Sequence, residues 1–157
     1  MKLENLSVTD RRFRNLRDGS FLNIHKTECI CNILNVFNCS FCFLSRPRRF
    51  GKTLLLDTIR ELFQGDRKLF RGLWIDRSDC RFEKHPVLNF NMAYAKISSS
   101  DDLIRRIADV LRDMSVQQDV SVTSNSFDMM LEQPSEGIYS KQGVGVSILV
   151  DECDLSL

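Results

Sequence analysis

One loop of the sequence stands out, Ser45-Arg46-Pro47-Arg48-Arg49-Phe50-Gly51-Lys52-Thr53. An apolar run over residues 41–44 precedes it, and an amphipathic helical pattern over residues 54–63 follows it. A strand, a tight loop that ends in Gly-Lys-Thr, and a helix form the context of a phosphate-binding loop. Because the unpaired N–H groups and the dipole of the helix start attract an anion, the sequence predicts a phosphate site here.

The residues of this loop have expected roles. Gly51 lets the backbone approach a phosphate, Lys52 would reach the β- and γ-phosphates, and the Thr53 hydroxyl would ligate Mg²⁺. The full pattern is G-x-x-x-x-G-K-[ST], and Arg46 occupies the first glycine position. Because Gly-Lys-Ser/Thr alone occurs by chance in roughly one chain in ten of this size, the flanking strand and helix have to support the prediction.

A second apolar segment ends in two carboxylates. Residues 147–150 run into Asp151 and Glu152, which is typical of a Walker B strand. In that motif the aspartate holds Mg²⁺ through water, and the glutamate can orient the attacking water. Both motifs occur in the expected order, which favours a nucleotide-binding domain.

The composition is that of an ordinary globular domain. The chain of 157 residues is long enough for one domain with a sizeable core, and its net charge of +1 points neither to nucleic acid nor to a membrane surface. The start lacks the apolar core of a signal peptide, and no apolar run reaches transmembrane length. We therefore expect a cytoplasmic protein without a membrane partner.

The cysteines allow a metal site as an alternative function. Cys39 and Cys42 have C-x-x-C spacing, but Cys29 and Cys31 are too close together for a zinc ribbon. Buried free thiols are therefore favoured over a metal site, and disulfides are not expected without a secretory context.

The first segment allows nucleic-acid binding as another alternative. Phe13 and Leu16 are candidate packing anchors between basic residues, and scattered arginines on a short helix more often form a solvated face than a nucleic-acid surface. The basic residues are Arg11, Arg12, Arg14 and Arg17.

Periodicity predicts several helices in the first half of the chain. One helix is expected through residues 31–37, before the loop. The apolar stripe of the helix over residues 54–63 is expected to pack against a sheet. A short helical turn is predicted at residues 69–75, with Trp74 as a packing anchor.

The second half predicts strands that alternate with helices. Strands are expected at residues 85–92 and 144–150, and a helix with a serine or aspartate cap is expected over residues 98–114. Pro134 and Gly137 would interrupt one further helical face, formed by Phe127, Met130 and Leu131. With the strand before the loop, these elements imply a parallel sheet of the α/β class.

The loop resembles that of one family. The sequence Arg46-Pro47-Arg48-Arg49-Phe50-Gly51-Lys52-Thr53 is similar to the R-P-R-R-F-G-K-T loop of the AAA-ATPase-like proteins, which also replace the first glycine by arginine and often carry a PD-(D/E)XK-type nuclease domain. His25 and Cys153 stand where the family usually has aspartate and tyrosine. Other matching stretches are Phe13-Arg14-Asn15-Leu16-Arg17-Asp18-Gly19, Lys26-Thr27, Leu69-Phe70-Arg71-Gly72-Leu73, His85-Pro86-Val87 and Val150-Asp151-Glu152.

The resemblance implies a P-loop NTPase fold, a three-layer αβα sandwich around a parallel sheet, with ATP and Mg²⁺ as ligands and ATP hydrolysis as the reaction. Carried over by position, Lys52 and Glu152 would be catalytic, and Thr53 and Asp151 would hold Mg²⁺. The cofactor-binding residues would be Arg48, Arg49, Phe50, Gly51, Lys52, Thr53 and Leu54.

Two further expectations come with the resemblance. Residues 1–37 would form the N-terminal helical and extended segment of the family, and residues 38–157 a partial P-loop core. Arg48 and Arg49 could lie near the phosphates, or they could equally pair with carboxylates on the surface.

The end of the chain suggests a truncated ATPase. In ATPases with a glutamate after the Walker B aspartate, a further strand normally lies between the P-loop strand and the Walker B strand. We expect this strand to be absent here, together with its polar sensor residue, an arginine finger and a nuclease domain that could contact nucleic acid. The P-loop and Walker B strands would then each present an unpaired edge, unless they pair directly.

Three hypotheses about function stay open at this point. The chain is an ATP-binding and hydrolysing domain, an inactive remnant of a truncated or split gene, or a nucleic-acid-associated module. Because groups that stabilise transition-state charge are missing, the isolated chain is expected to hydrolyse ATP very slowly or not at all.

Overall fold

A computed structural model describes most of the chain, namely residues 12–19, 21, 25–37, 41–47, 49–92, 99–117 and 127–152. The chain divides into two compact units, Met1–Lys84 and His85–Leu157, which are described one after the other. Among the residues named above, four lie outside the described part: Arg11, Cys39, Arg48 and Cys153.

The first unit is helical. Helix α1 spans Phe13–Asp18, α2 spans Thr27–Phe37 and α3 spans Lys52–Phe63, and two 3₁₀ helices follow at Arg67–Phe70 and Trp74–Arg77. The predictions of a helix through residues 31–37, of a helix after the loop and of helical turns near residues 69–75 are confirmed.

An aromatic contact lies in the core of this unit. Phe13 of α1 and Phe70 of the first 3₁₀ helix are both buried, and their ring centroids are 5.0 Å apart. Leu16 is buried as well, so the prediction that Phe13 and Leu16 anchor the first segment is confirmed. Ile59 and Leu62 on α3 are also buried. Within its unit α3 packs against α1, whereas the sequence predicted packing against a sheet.

Charged groups fasten α1 to α3. Asp57 accepts the backbone N–H of Phe13 through Oδ2 at 2.6 Å, which satisfies a donor at the start of α1. The Arg14 guanidinium donates to the buried Glu61 carboxylate at 2.7 Å and to Asp66 at 3.2 Å. The hydrogen bond to Glu61 is the main reason why the pKa of Arg14 is raised. Within α3, Arg60 contacts Asp57 at 2.6 Å, so the carboxylate that accepts from α1 is also paired with a cation.

The second unit contains the sheet found in the described residues. Strand β1 spans Val87–Asn91 and strand β2 spans Ser147–Asp151, and they pair in parallel with Val87 opposite Ser147 and Asn91 opposite Asp151. Helices α4, Ser100–Gln117, and α5, Phe127–Gln142, connect them. The strands predicted at residues 85–92 and 144–150 are therefore confirmed, and the fold is mixed α/β.

The core of this unit lies between β1 and its two helices. Leu88 and Phe90 are buried while Asn89 between them is exposed, as the alternation predicted. The buried core consists of Leu88, Phe90, Ala108, Leu111 and Ile138. Ser99 caps α4, because its hydroxyl oxygen accepts the N–H of Asp102 at 3.2 Å. This cap confirms the predicted helix start.

The strand predicted over residues 41–44 is not formed. Residues 41–47 have no regular secondary structure, and the side chains of Phe41 and Phe43 are 78% and 69% exposed. A strand needs a neighbour to pair its backbone N–H and C=O groups. The predicted Walker B strand, Ser147–Asp151, pairs with Val87–Asn91, so the described sheet has two strands rather than three.

Two further sequence predictions are wrong because tertiary packing decides which residues are buried. Helix α5 continues through Pro134 and Gly137, although both residues disfavour a helix interior. Ile138 on this helix is fully buried, and the packing of α5 against α4 outweighs the local preference. Trp74 is 41% exposed and does not anchor the core, because its neighbours Leu73 and Ile75 take the buried positions.

The described cysteines fall into two classes. Cys31 and Cys80 are buried free thiols, as predicted, whereas Cys29 and Cys42 are exposed. Burial, and then the neighbouring Cys31, raise the pKa of the Cys80 thiol to about 12. The described residues contain no group of three or more histidine, cysteine or acidic side chains that could hold a metal ion. None of the described helices is long and apolar enough to cross a membrane.

We expect Arg14→Met to lower the free energy of unfolding by about 1–2 kcal/mol, because it removes a partner of the buried Glu61 carboxylate. Urea unfolding followed by circular dichroism measures this change. The control is Arg81→Met, since Arg81 and Glu83 form an exposed pair at 3.4 Å. Equal losses of stability in the two variants would show that the α1–α3 ion pairs add nothing beyond an exposed pair.

We expect iodoacetamide at about pH 8 to modify Cys29 and Cys42 well before Cys80, because alkylation requires an accessible thiolate. Because the pKa of Cys80 is raised, the folded state keeps the thiol proton to higher pH than the unfolded state does. The contribution of this thiol to the free energy of unfolding is therefore complete below the unfolded pKa, and it is lost as the pH rises from there toward about 12. Peptide mass spectrometry over a time course measures the order of labelling. Labelling of Cys80 as fast as Cys29 would contradict its burial.

Candidate functional site

The start of α3 is an open helix N-terminus. Gly51 is its N-cap residue, and the Gly51 carbonyl accepts the N–H of Leu55 at 2.9 Å. No side chain among the described residues caps this helix. The N–H groups of Lys52, Thr53 and Leu54 come too early in the helix to have an intrahelical acceptor. They therefore form, together with the helix dipole, the kind of site that binds an anion.

The backbone of the loop is in the left-handed region on both sides of Phe50. Arg49 has φ 67° and Gly51 has φ 77°. A left-handed residue next to right-handed helical residues turns successive N–H groups toward one concavity, which is an arrangement that binds anions. For arginine the left-handed region costs about 1–2 kcal/mol, so the loop holds Arg49 in a conformation that the residue itself disfavours.

The space in front of Gly51 is open. A Cβ atom built on Gly51 would meet no atom within 4 Å. Lys52 and Thr53 are partly buried, and Arg46, Arg49 and Phe50 are exposed. The donor set at this helix start is an ammonium, a hydroxyl and free backbone N–H groups. This set fits a phosphate group with its magnesium ion.

The predicted Walker B carboxylates lie at one edge of the sheet in the second unit. Asp151 is buried and is the last residue of β2. Glu152 follows in a left-handed conformation with φ 57°, and its N–H donates to Asp151 Oδ1 at 3.1 Å. Ligands of parallel α/β sheets bind at the carboxyl ends of strands, which is where both carboxylates lie.

The structure brings the predicted residues together in two groups. Residues 49–54 lie at the start of α3 in the first unit, and Asp151 and Glu152 lie at the end of β2 in the second. Their contribution to one common site stays a prediction.

Two residues near these groups were missed from the sequence. Asn91 ends β1 directly opposite Asp151, so an amide stands beside the buried carboxylate in the register of the sheet. The sequence could have indicated Asn91, because it is the last polar residue of a strand that alternates between polar and apolar residues. Lys26 donates through Nζ to the carbonyl oxygen of Phe50 at 3.3 Å, and its proximity to the loop could not be seen in the sequence.

Comparison with known proteins identifies the family. Residues 8–157 match the family model described as AAA-ATPase_like, Predicted AAA-ATPase. The chain belongs to this AAA-ATPase-like family. The resemblance seen in the loop is thereby confirmed for nearly the whole chain, while the fusion to a nuclease domain stays a prediction.

A curated relative of this AAA-ATPase-like chain is longer. The chain is 33% identical, over 156 residues, to an "Uncharacterized protein in vnfD 5'region" of Azotobacter chroococcum mcd 1. The alignment covers 98% of this chain and 30% of that protein, so the chain spans about a third of its relative's length. No solved structure gives a significant match.

We expect Gly51→Ala to lower the free energy of unfolding by about 1–2 kcal/mol, because alanine is strained at positive φ although space for its methyl group is open. Gly51→Asn should have a smaller effect, since asparagine tolerates this region better. Urea unfolding measures both variants.

The matched control for this prediction is Gly145→Ala. Gly145 also has open space at its Cβ position but is not at positive φ. Its replacement should change stability by less than about 0.5 kcal/mol. If Gly51→Ala lowered the free energy of unfolding no more than Gly145→Ala does, the result would contradict the left-handed conformation of residue 51.

Proposed function

We propose that the chain is the nucleotide-binding part of an ATPase and binds ATP with Mg²⁺ at the start of α3. The observation that carries this proposal is the uncapped first turn of α3 behind a left-handed Gly51, in a chain of the AAA-ATPase-like family. The backbone N–H groups of residues 51–54 hold phosphate oxygens. Lys52 neutralises the β- and γ-phosphates, and Arg49 and Phe50 line the same loop. Arg48, which lies outside the described residues, belongs to the same proposed set.

The metal-binding and catalytic residues are proposed from the same family pattern. Thr53 and Asp151 hold Mg²⁺, which when bound draws negative charge away from the transferred phosphate. The oxygen ligands of a hydroxyl and a carboxylate suit this hard cation. Glu152 orients the attacking water, and Lys52 stabilises the charge that develops on the phosphate oxygens. The whole ATPase would have the three-layer αβα sheet of P-loop NTPases, with residues 1–37 as its N-terminal segment and residues 38–157 as its core.

Hydrolysis by this chain alone is proposed to be very slow. The proposed site includes no arginine outside the loop, and an arginine that neutralises transition-state charge contributes much of the rate in related chemistry. We therefore propose that binding is retained and turnover is very slow in the isolated chain. An inactive remnant would bind nucleotide weakly or not at all, so the two possibilities differ in affinity.

The basic residues of α1 do not favour the nucleic-acid alternative. Arg14 is engaged by Glu61 and Asp66. Arg17 donates to the backbone carbonyls of Leu69 at 2.9 Å and of Arg71 at 2.7 Å. These guanidinium groups hold the first unit together and are directed toward their own chain.

We expect wild-type protein to bind fluorescent ATP in the presence of Mg²⁺, and Lys52→Ala to bind it at least about tenfold more weakly, because a charge-assisted contact to phosphate is lost. Fluorescence anisotropy measures the affinities, and Lys68→Ala is the control, since Lys68 is an exposed lysine elsewhere in the same unit. Equal affinities of wild-type and Lys52→Ala would refute the proposed site.

The same samples measure hydrolysis through release of inorganic phosphate. We expect turnover of the isolated chain to stay at background. Turnover above background that disappears in both Lys52→Ala and Glu152→Gln would show that the chain is a complete ATPase by itself.

A further inference from the structure

A lysine far from the loop in sequence contacts its backbone. Lys26 precedes α2, and its ammonium group donates to the carbonyl oxygen of Phe50 at 3.3 Å. Phe50 immediately precedes Gly51, the N-cap of α3. The contact therefore joins the start of one helix to the peptide unit at the start of another.

The backbone of Lys26 is well fixed. Its carbonyl accepts the N–H of Ile30 at 3.1 Å in the first turn of α2. The next residue, Thr27, is fully buried, and its hydroxyl oxygen accepts the N–H of Ile75 at 3.4 Å. These hydrogen bonds hold the start of α2 against the second 3₁₀ helix. They therefore fix the backbone position from which the Lys26 side chain extends to the loop.

The geometry of the peptide bond gives this contact a consequence. In a trans peptide the C=O of one residue and the N–H of the next point in opposite directions. None of the described peptide bonds is cis. A cation that holds the Phe50 carbonyl therefore also sets the direction of the Gly51 N–H, which points away from Lys26.

The conformation of the loop explains why the peptide between Phe50 and Gly51 needs to be held in one orientation. The residues on either side of Phe50 are both left-handed, which is an unfavourable conformation for Arg49. Rotation of the peptide between Phe50 and Gly51 would change the φ of Gly51, and glycine alone resists such a rotation poorly. A charged donor on the carbonyl opposes the rotation, because turning the carbonyl away would break the hydrogen bond.

We propose that Lys26 is a positioning residue of the phosphate-binding loop, which holds the peptide between Phe50 and Gly51 so that the Gly51 N–H points into the anion site. This inference rests on the proposed nucleotide-binding function and extends it to a residue of a different helix. Lys26 acts through the backbone of the loop, whereas Lys52 contacts the phosphates.

The first test needs no nucleotide. Protein labelled with ¹⁵N-glycine gives amide resonances from the seven glycines of the chain, and the Gly51 resonance is assigned by its loss in Gly51→Ala. In Lys26→Met we expect the Gly51 resonance to shift or broaden, while the resonances of Gly65 and Gly72, which lie in the same unit, stay in place and report that this unit is folded. Lys26→Arg should restore the wild-type position, because arginine keeps a charged donor. Lys68→Met is the control and should leave the Gly51 resonance in place.

The second test uses ATP and Mg²⁺. We expect Lys26→Met to bind fluorescent ATP about tenfold more weakly than wild-type protein, as for the loss of one hydrogen bond to a charged group, and Lys26→Arg to recover most of the affinity. An unshifted Gly51 resonance in Lys26→Met, or equal affinities of Lys26→Met and wild type, would overturn the inference. If wild-type protein bound no ATP, the proposed function would fail, while the glycine spectra would still decide whether Lys26 orients the Gly51 amide.

Discussion

The first turn of α3 is uncapped, while its later turns are held by ion pairs and by buried apolar residues. Its leading N–H groups can serve a ligand only if no side chain of the protein occupies them, and none of the described residues caps the turn. An open turn contributes less to stability than a capped one. The later turns compensate for this loss, because Asp57 and Glu61 bind α1 and Arg60, and Ile59 and Leu62 are buried. The helix is thus stabilised through its middle and left available at its start.

The sheet of the second unit is small for the apolar surface that it carries. Ile148 and Val150 of β2 are 50% and 43% exposed, although their register partners Leu88 and Phe90 are buried. Nearly continuous apolar strands are typical of parallel sheets that are covered on both faces. Ile148 and Val150 are two residues apart and therefore form an exposed apolar face of β2.

The sequence predicted the helices better than the sheet, because helical bonds are local and strand pairs are not. The stripe on α4 and the start of α3 could be read from nearby residues, and both are present. The apolar run at residues 41–44 looks like a strand but lacks a partner, which no local pattern reports. In α5 the burial of Ile138 outweighed the preferences of Pro134 and Gly137, and that burial depends on the distant residues Leu88 and Leu111.

The same division applies to the candidate site. Lys52, Thr53 and Asp151 were predicted from their motifs, and they lie at the start of α3 and at the end of β2. The left-handed Arg49 and the contact of Lys26 with Phe50 could not, because both depend on how the chain folds back on itself. Motifs point to residues that are close together in the sequence, whereas contacts between residues that are distant in the sequence become visible only in three dimensions.

The contact between Asp57 and the N–H of Phe13 has a consequence for how the first helix can vary. Helix α1 has six residues and is too short to be stable in isolation, so its formation is conditional on α3. One side of the contact is a backbone group, which every amino acid except proline supplies. Substitutions at position 13 can change the packing without removing this donor, whereas the acceptor depends on a single carboxylate. For this hydrogen bond, position 13 therefore tolerates any residue that has a backbone N–H, whereas position 57 requires a side-chain acceptor.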